Sequence, residues 1–108
     1  MTLVSVMYPG GADARFDMDY YLTKHMPLVA ERWSTLGLKE AKVVKGVATP
    51  DGAPAPYPVI ALLTWDSADA FSAAVARHGA EIFGDIPNFT NTQPSVQIND
   101  VAWTHPAQ

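Results

Sequence analysis

The chain has 108 residues, the size of one compact domain, and 48% of them are hydrophobic. It contains no cysteine, which excludes disulfides, thiolate nucleophiles and thiolate metal sites. The formal net charge is −4, and the seven basic residues are scattered, whereas nucleic-acid binding requires clustered positive charge.

No apolar run approaches the ~20 residues that span a bilayer. The N-terminus lacks the features of a signal peptide. We therefore expect one cytoplasmic domain over residues 1–108, ordered over about residues 2–103.

The first predicted strand covers residues 2–8, which are mostly β-branched or bulky apolar residues, and it ends at Pro9-Gly10-Gly11. A helix then begins near Met18, with Asp17 as its N-cap, and ends at Gly37. Its predicted apolar stripe consists of Leu22, Met26, Val29, Trp33 and Leu36.

Pro27 interrupts this helical pattern. A proline removes one helical hydrogen bond and clashes with the preceding turn, which costs ~3 kcal/mol in a regular helix. We therefore expect either a kink at Pro27 or a helix in two parts.

The remainder of the chain predicts three more strands and one helix. The strands are expected over residues 39–48, 57–65 and 95–103. The helix follows Ser67 as its N-cap and ends at Gly84, and a loop of residues 85–94 leads to the last strand. The order βαββαβ with right-handed crossovers predicts a ferredoxin-like α+β fold, in which a four-stranded antiparallel sheet carries two helices on one face.

The predicted sheet is apolar on both faces. The third strand places Val59 and Leu63 on one face and Ile60 and Leu62 on the other. Because two helices cover only one face, the other needs a second cover, and the simplest is another copy of the chain. We therefore expect a two-fold homodimer through the open sheet face. The buried amides expected on the last strand are candidates for dimer or ligand contacts, namely Gln97 and Asn99.

His25 is the candidate reactive side chain. At roughly 100° per residue it lies about 60° from the centre of the apolar stripe, at the edge of the buried face. It is either a general base or anchor in a pocket, or a structural histidine bonded to backbone near Pro27. Tyr21 lies one turn earlier on the same edge, within reach of His25. Tyr20 falls on the opposite side, which favours a surface or dimer-contact aromatic.

His78 lies in the second helix's apolar stripe, with Phe71, Val75 and Ile82, which favours a core histidine over a second pocket histidine facing His25. The chain has no HxH or HExxH pattern, and its histidines lie on different elements, so we expect no metal site. It has no GxSxG elbow and no glycine-rich dinucleotide loop, so we expect no nucleophilic serine and no bound nucleotide cofactor.

Two motifs carry a family resemblance. They are Phe16-Asp17-x-x-Tyr20-Tyr21-x-x-x-His25-x-Pro27-Leu28-Val29 and Asp85-Ile86-Pro87-Asn88-Phe89-Thr90-Asn91-x-x-Pro94. In this order they resemble the EthD family, which is named for ethyl tert-butyl ether degradation and belongs to the dimeric α+β barrel superfamily. The resemblance spans nearly the whole domain and implies the ferredoxin-like fold and a face-to-face homodimer.

The family pattern assigns no roles to the matching positions. We take His25 and Tyr21 as candidate catalytic residues. Candidate ligand-binding residues are Asp17, Asp85, Asn88 and Phe89.

Three hypotheses for function follow. Similar small domains in the superfamily act as polyketide cyclases, muconolactone isomerases or monooxygenases, which implies a cofactor-independent acid–base enzyme acting on a small hydrophobic metabolite between sheet and helices. His25 would then move a proton while Tyr21 orients it or binds the substrate oxygen. The alternatives are a non-catalytic accessory protein of a degradation pathway, such as a monooxygenase system, and a purely structural dimer.

Overall fold

The structure, a computed structural model, describes residues 1–106 and has the predicted ferredoxin-like architecture. Its strands are β1 (Thr2–Tyr8), β2 (Leu38–Lys45), β3 (Val59–Trp65) and β4 (Ser95–Asp100). Helix α1 comprises three continuous segments, Met18–Tyr20, Tyr21–His25 and Met26–Trp33, and helix α2 is Ala68–Gly84. Short 3₁₀ turns follow the two helices at Ser34–Leu36 and Ile86–Asn88.

The four strands form one antiparallel sheet in the order β2-β3-β1-β4. Strands β2 to β4 are shorter than predicted. Strand β4 ends at Asp100 because its partner β1 begins at Thr2, which pairs with Asp100. Strand β3 begins only after Pro58, which has no N–H to donate to a ladder.

The core lies between one face of the sheet and the two helices. Val4 and Val6 of β1 and Ala61 and Leu63 of β3 point into it, as their alternating burial shows. At one end Trp33 of α1 packs edge-on against Trp65, with ring centroids 5.4 Å apart, and donates a hydrogen bond to the backbone oxygen of Ala74. This core fixes both helices against the sheet.

The opposite face of the sheet is not covered within one chain. Leu3, Met7, Ile60 and Leu62 point to this face and are half-buried, and Val44 is exposed. The prediction of an apolar second face is therefore confirmed for the two central strands, β1 and β3.

The predicted helix caps are confirmed. Asp17 accepts a hydrogen bond from the Tyr20 backbone N–H at 3.0 Å, and Ser67 accepts one from Ala70 at 3.0 Å. Gly37 ends the first helical region in the left-handed conformation, with φ of 111°.

Helix α1 is irregular at the segment before Pro27, where the sequence predicted a kink or a helix in two parts, but it continues without a break. Residues Tyr21–His25 form a π-helical turn, in which the Met26 N–H donates to the carbonyl of Tyr21 rather than to that of Leu22. The wider turn changes which side chains of α1 face the core. Leu22, predicted to be in the core stripe, is therefore 48% exposed, whereas Tyr21 and His25 are 1% and 4% exposed. The prediction for Leu22 was wrong.

Val29 and Trp33 of the predicted stripe are buried, while Met26 and Leu36 are half-buried. No helix within residues 1–106 is long and apolar enough to cross a membrane.

Candidate active site

The site is built around a contact between α1 and the end of α2. His25, the last residue of the π-helical turn, places Nδ1 3.0 Å from Oδ2 of Asp85, which directly follows α2. The His25 side chain is 5% exposed and the Asp85 side chain is 15% exposed. A histidine and a carboxylate thus meet at a nearly enclosed position, 60 residues apart in the chain.

The second oxygen of Asp85 is also bonded. Oδ1 accepts hydrogen bonds from the Tyr20 hydroxyl at 2.7 Å and from Nδ2 of Asn88 at 2.8 Å. Asn88 reaches Asp85 because the 3₁₀ turn brings its backbone N–H within 3.0 Å of the Asp85 carbonyl. Three side chains therefore fix the carboxylate, which in turn fixes the histidine ring.

Tyr20 belongs to this network, and its prediction as a surface or dimer-contact aromatic was wrong. The helical wheel considered only the sheet as a neighbour of α1. In the structure the loop after α2 folds across the flank of α1, so that Tyr20 also stacks on Phe89 with ring centroids 6.3 Å apart. A single-helix projection contains no information about such a loop.

The charge states of the pair follow from burial and hydrogen bonding. Burial alone would raise the pKa of Asp85, but the hydrogen bonds from Asn88, Tyr20 and His25 outweigh it and lower that pKa below its ordinary value. For His25 the balance is opposite: burial lowers the pKa more than the bond and charge of Asp85 raise it. Near pH 7 the pair therefore consists of an ionised aspartate and a neutral imidazole.

This state determines the histidine tautomer. An ionised carboxylate can only accept hydrogen bonds, so Nδ1 of His25 carries the ring proton and donates it to Asp85. Nε2 is then unprotonated, with a lone pair available to take a proton. The arrangement is that of a general base held in the required tautomer by a half-buried carboxylate.

Aromatic rings surround His25. Tyr21 stacks on it with a centroid distance of 5.4 Å and an interplanar angle of 14°, and Phe89 lies at 4.6 Å. Tyr21 also packs edge-on against Tyr8 at 5.8 Å and Phe16 at 4.9 Å. These rings exclude water from the imidazole and account for the burial that lowers its pKa.

A small cavity of about 30 Å³ lies between α1, α2 and the sheet. Four of its lining residues carry polar groups, namely Tyr8, Tyr21, His25 and Trp33, whose indole N–H is bonded to Ala74. The others are apolar: Val6, Met26, Val29, Ala61, Leu63, Ile82, Phe83 and Ile86. This volume holds about one or two water molecules, so a larger ligand can bind only if side chains move aside. Met26 and Phe83, which line the cavity, retain exposed surface.

The two tyrosines at the cavity are neutral across the physiological range. Burial raises the pKa of Tyr8 to about 12, with a smaller opposing contribution from the Tyr21 hydroxyl. Burial, together with the neighbouring Tyr8, raises the pKa of Tyr21 further still. Both hydroxyls therefore act as hydrogen-bonding groups rather than as bases.

The comparisons with known proteins identify the family. The EthD domain matches residues 10–93, more than half of the chain. The chain belongs to the EthD family. It is 40% identical to an EthD-like protein from Ralstonia eutropha JMP134, whose crystal structure superimposes with a TM-score of 0.88 over 97% of this chain and 95% of that one.

More distant structures share the fold. An EthD family protein from Bacillus halodurans C-125 is 19% identical, with a TM-score of 0.74 over 94% of this chain and 98% of that chain. SnoaB, a cofactor-independent oxygenase from Streptomyces nogalater, is 15% identical, with a TM-score of 0.57 over 98% and 96% of the two chains. These matches confirm the dimeric α+β barrel fold class for this EthD domain. No match was found among curated proteins.

The other predicted site residues of this EthD domain fall in different places. Asn88 and Phe89 contact Asp85 and His25, but Asp17 is exposed and its carboxylate caps α1. Asp17 borders a shallow surface depression that Asn88 and Phe89 share, outside the His25 cavity.

His78 was predicted to be a core histidine, and this is wrong. His78 is half-buried, and the neighbouring residues of α2 that face the core are Ala74 and Gly79. It does not line the His25 cavity either. Within residues 1–106 no three His, Asp or Glu side chains cluster as a metal site would require.

Sequence reasoning missed two residues of the site, Tyr20 and Tyr8. The motif string contains Tyr20, but its partner Asp85 is 65 residues away. Tyr8 is the last residue of β1, and the only signal was its position on the same strand face as Val4 and Val6.

Proposed function

We propose that this EthD domain binds a small hydrophobic molecule between its sheet and helices and performs cofactor-independent proton transfer on it. The observation that carries the proposal is the bond between Nδ1 of His25 and ionised Asp85, which leaves Nε2 as a base at an apolar cavity. Tyr21, stacked on the imidazole and lining the same cavity, orients the ring and contributes a hydroxyl group.

The surroundings of the pair support a catalytic over a purely structural role. Asp85 is held by Tyr20, Asn88 and His25 together, which fixes the position and the tautomer of the imidazole. A neutral buried imidazole with a pKa below its ordinary value is ready to accept a proton at neutral pH. General base catalysis of this kind contributes typically ~10²–10⁴-fold in rate.

The second part of the proposal is a homodimer through the open sheet face. Leu3, Met7, Ile60 and Leu62 present an apolar surface that the helices of the same chain do not cover. A second copy packing sheet against sheet would bury it. Asn99, which donates to the backbone oxygen of Leu3 at 2.8 Å, is already satisfied within the chain and does not oppose such packing.

A generic carbon acid tests the catalytic proposal without knowledge of the natural substrate. In 5-nitrobenzisoxazole a base removes the ring C–H proton while the N–O bond breaks, giving a coloured cyanophenolate. We expect wild type to accelerate this reaction and His25→Asn to lose the acceleration, by ~10²-fold or more. The rate should rise as pH increases through the lowered pKa of His25 and reach a plateau above the ordinary value of 6.5.

The matched control is His78→Asn, which removes a half-buried histidine that does not border the cavity. It should retain the wild-type rate. If wild type and His25→Asn bind the probe equally and neither turns it over, the domain is a non-catalytic binding protein, as expected for a pathway accessory. If neither binds it, the proposal of a ligand pocket is wrong.

A further inference from the structure

The hydroxyl groups of Tyr8 and Tyr21 form a second functional element of the cavity. They belong to different elements, the end of β1 and the π-helical turn of α1. Their rings meet edge-on at 5.8 Å, and both residues line the cavity beside His25. Tyr8 is 2% exposed and Tyr21 is 1% exposed, so bulk water does not serve these groups.

The two hydroxyls contain two O–H donors, and even a bond between them would use only one. Within residues 1–106 no other protein group bonds to either hydroxyl. At least one O–H donor is therefore left for a ligand, because burying a polar group without a partner costs free energy.

The cavity thus combines one donor with one base. Tyr8, Tyr21 and His25 line the same apolar space, and the Tyr21 ring meets Tyr8 edge-on and stacks on His25. We infer that this combination binds a hydrophobic molecule with a phenolic or enolic hydroxyl group, which His25 deprotonates while the tyrosine pair donates to the resulting oxyanion. This inference rests on the proposed function of His25.

The proton balance of the step is simple. The ligand O–H bond breaks, its proton forms an N–H bond at Nε2, and the electron pair stays on the ligand oxygen, which accepts from the tyrosine O–H. The imidazolium that forms is stabilised by Asp85 through Nδ1–H. Donors placed where negative charge develops act more strongly in such a water-excluded site than in water.

4-Nitrophenol is a suitable probe because its phenolate absorbs visible light, so binding and ionisation can be read separately. We expect wild type to bind it and to shift its ionisation to lower pH than in free solution. Tyr8→Phe and Tyr21→Phe should each bind the phenolate about tenfold more weakly, the usual loss for a hydrogen bond to a charged group. Nitrobenzene, which lacks the hydroxyl, should bind all variants equally.

Tyr57→Phe is the matched control, since Tyr57 is 39% exposed and lies outside the cavity. It should behave as wild type. If wild type ionises the probe through His25 but both cavity variants bind it unchanged, the tyrosine inference is wrong and the role of His25 stands. If His25→Asn changes neither probe ionisation nor benzisoxazole turnover, the proposed function itself fails. Absence of any nitrophenol binding to folded wild type would also overturn the inference.

Discussion

The charge state of His25 results from two opposing effects on one ring. The surrounding aromatic rings desolvate the imidazole and lower its pKa, while the carboxylate of Asp85 raises it by a smaller amount. The result is a neutral histidine next to a charged aspartate, rather than an ion pair. Asp85 can remain charged because Tyr20 and Asn88 satisfy its other oxygen.

At the residue scale the sequence indicated the histidine but not its partner. A histidine, two tyrosines and a proline on one segment identified His25 and Tyr21 as candidates, and the second motif contained Asp85, Asn88 and Phe89. The pairing of His25 with Asp85 depends on how the loop after α2 crosses α1. That contact is made by tertiary packing, which helical periodicity does not encode.

At the element scale, Pro27 explains the π-helical turn. Proline has no N–H to bond the carbonyl of Thr23, and its ring would clash with that carbonyl in a regular α-helix. The chain widens the turn before it, and Tyr21 and His25 then face the core while Leu22 faces solvent. The sequence predicted an irregularity at Pro27, but not that it would be a widened turn, because a kink satisfies the same constraint.

Replacing Pro27 with alanine tests this explanation. The restored N–H favours a regular helix, which should rotate His25 away from Asp85 while the domain stays folded. We expect benzisoxazole turnover to fall at least tenfold. We also expect amide hydrogen exchange to slow at the residues next to position 27. Pro50→Ala, in the exposed loop between β2 and β3, is the control and should retain activity. Unchanged turnover and exchange in Pro27→Ala would show that the proline does not cause the turn.

At the scale of the whole molecule, the fold was predictable because it is determined by simple patterns. Alternating apolar residues defined the strands, capping residues Asp17 and Ser67 defined the helix starts, and their order allowed one topology. Strand ends were less accurate, since they depend on where a partner strand stops, as at Asp100.

The open sheet face gives the whole-molecule prediction. Ile60 lies on this face, in β3, between Val44 of β2 and Met7 of β1 by strand register. Ile60→Asp should weaken dimerisation about 100-fold or more, because it places a charge in an apolar interface. Sedimentation at micromolar concentration should show a wild-type dimer and a folded monomeric variant.

Val47→Asp is the control for this substitution, because Val47 is 89% exposed in the loop after β2. It should sediment as wild type. A wild-type chain that sediments as a monomer at micromolar concentration would contradict the dimer, whatever the behaviour of the variants.

The charge state of His25 is tested by an NMR titration of its imidazole nitrogens in wild type and Asp85→Asn. Near pH 7 we expect a neutral ring with its proton on Nδ1, and a titration midpoint below the ordinary value of 6.5. In Asp85→Asn the midpoint should fall further, since burial continues to lower the pKa while the carboxylate that raised it is gone. A wild-type ring protonated on Nε2, or a midpoint above 6.5, would contradict the account.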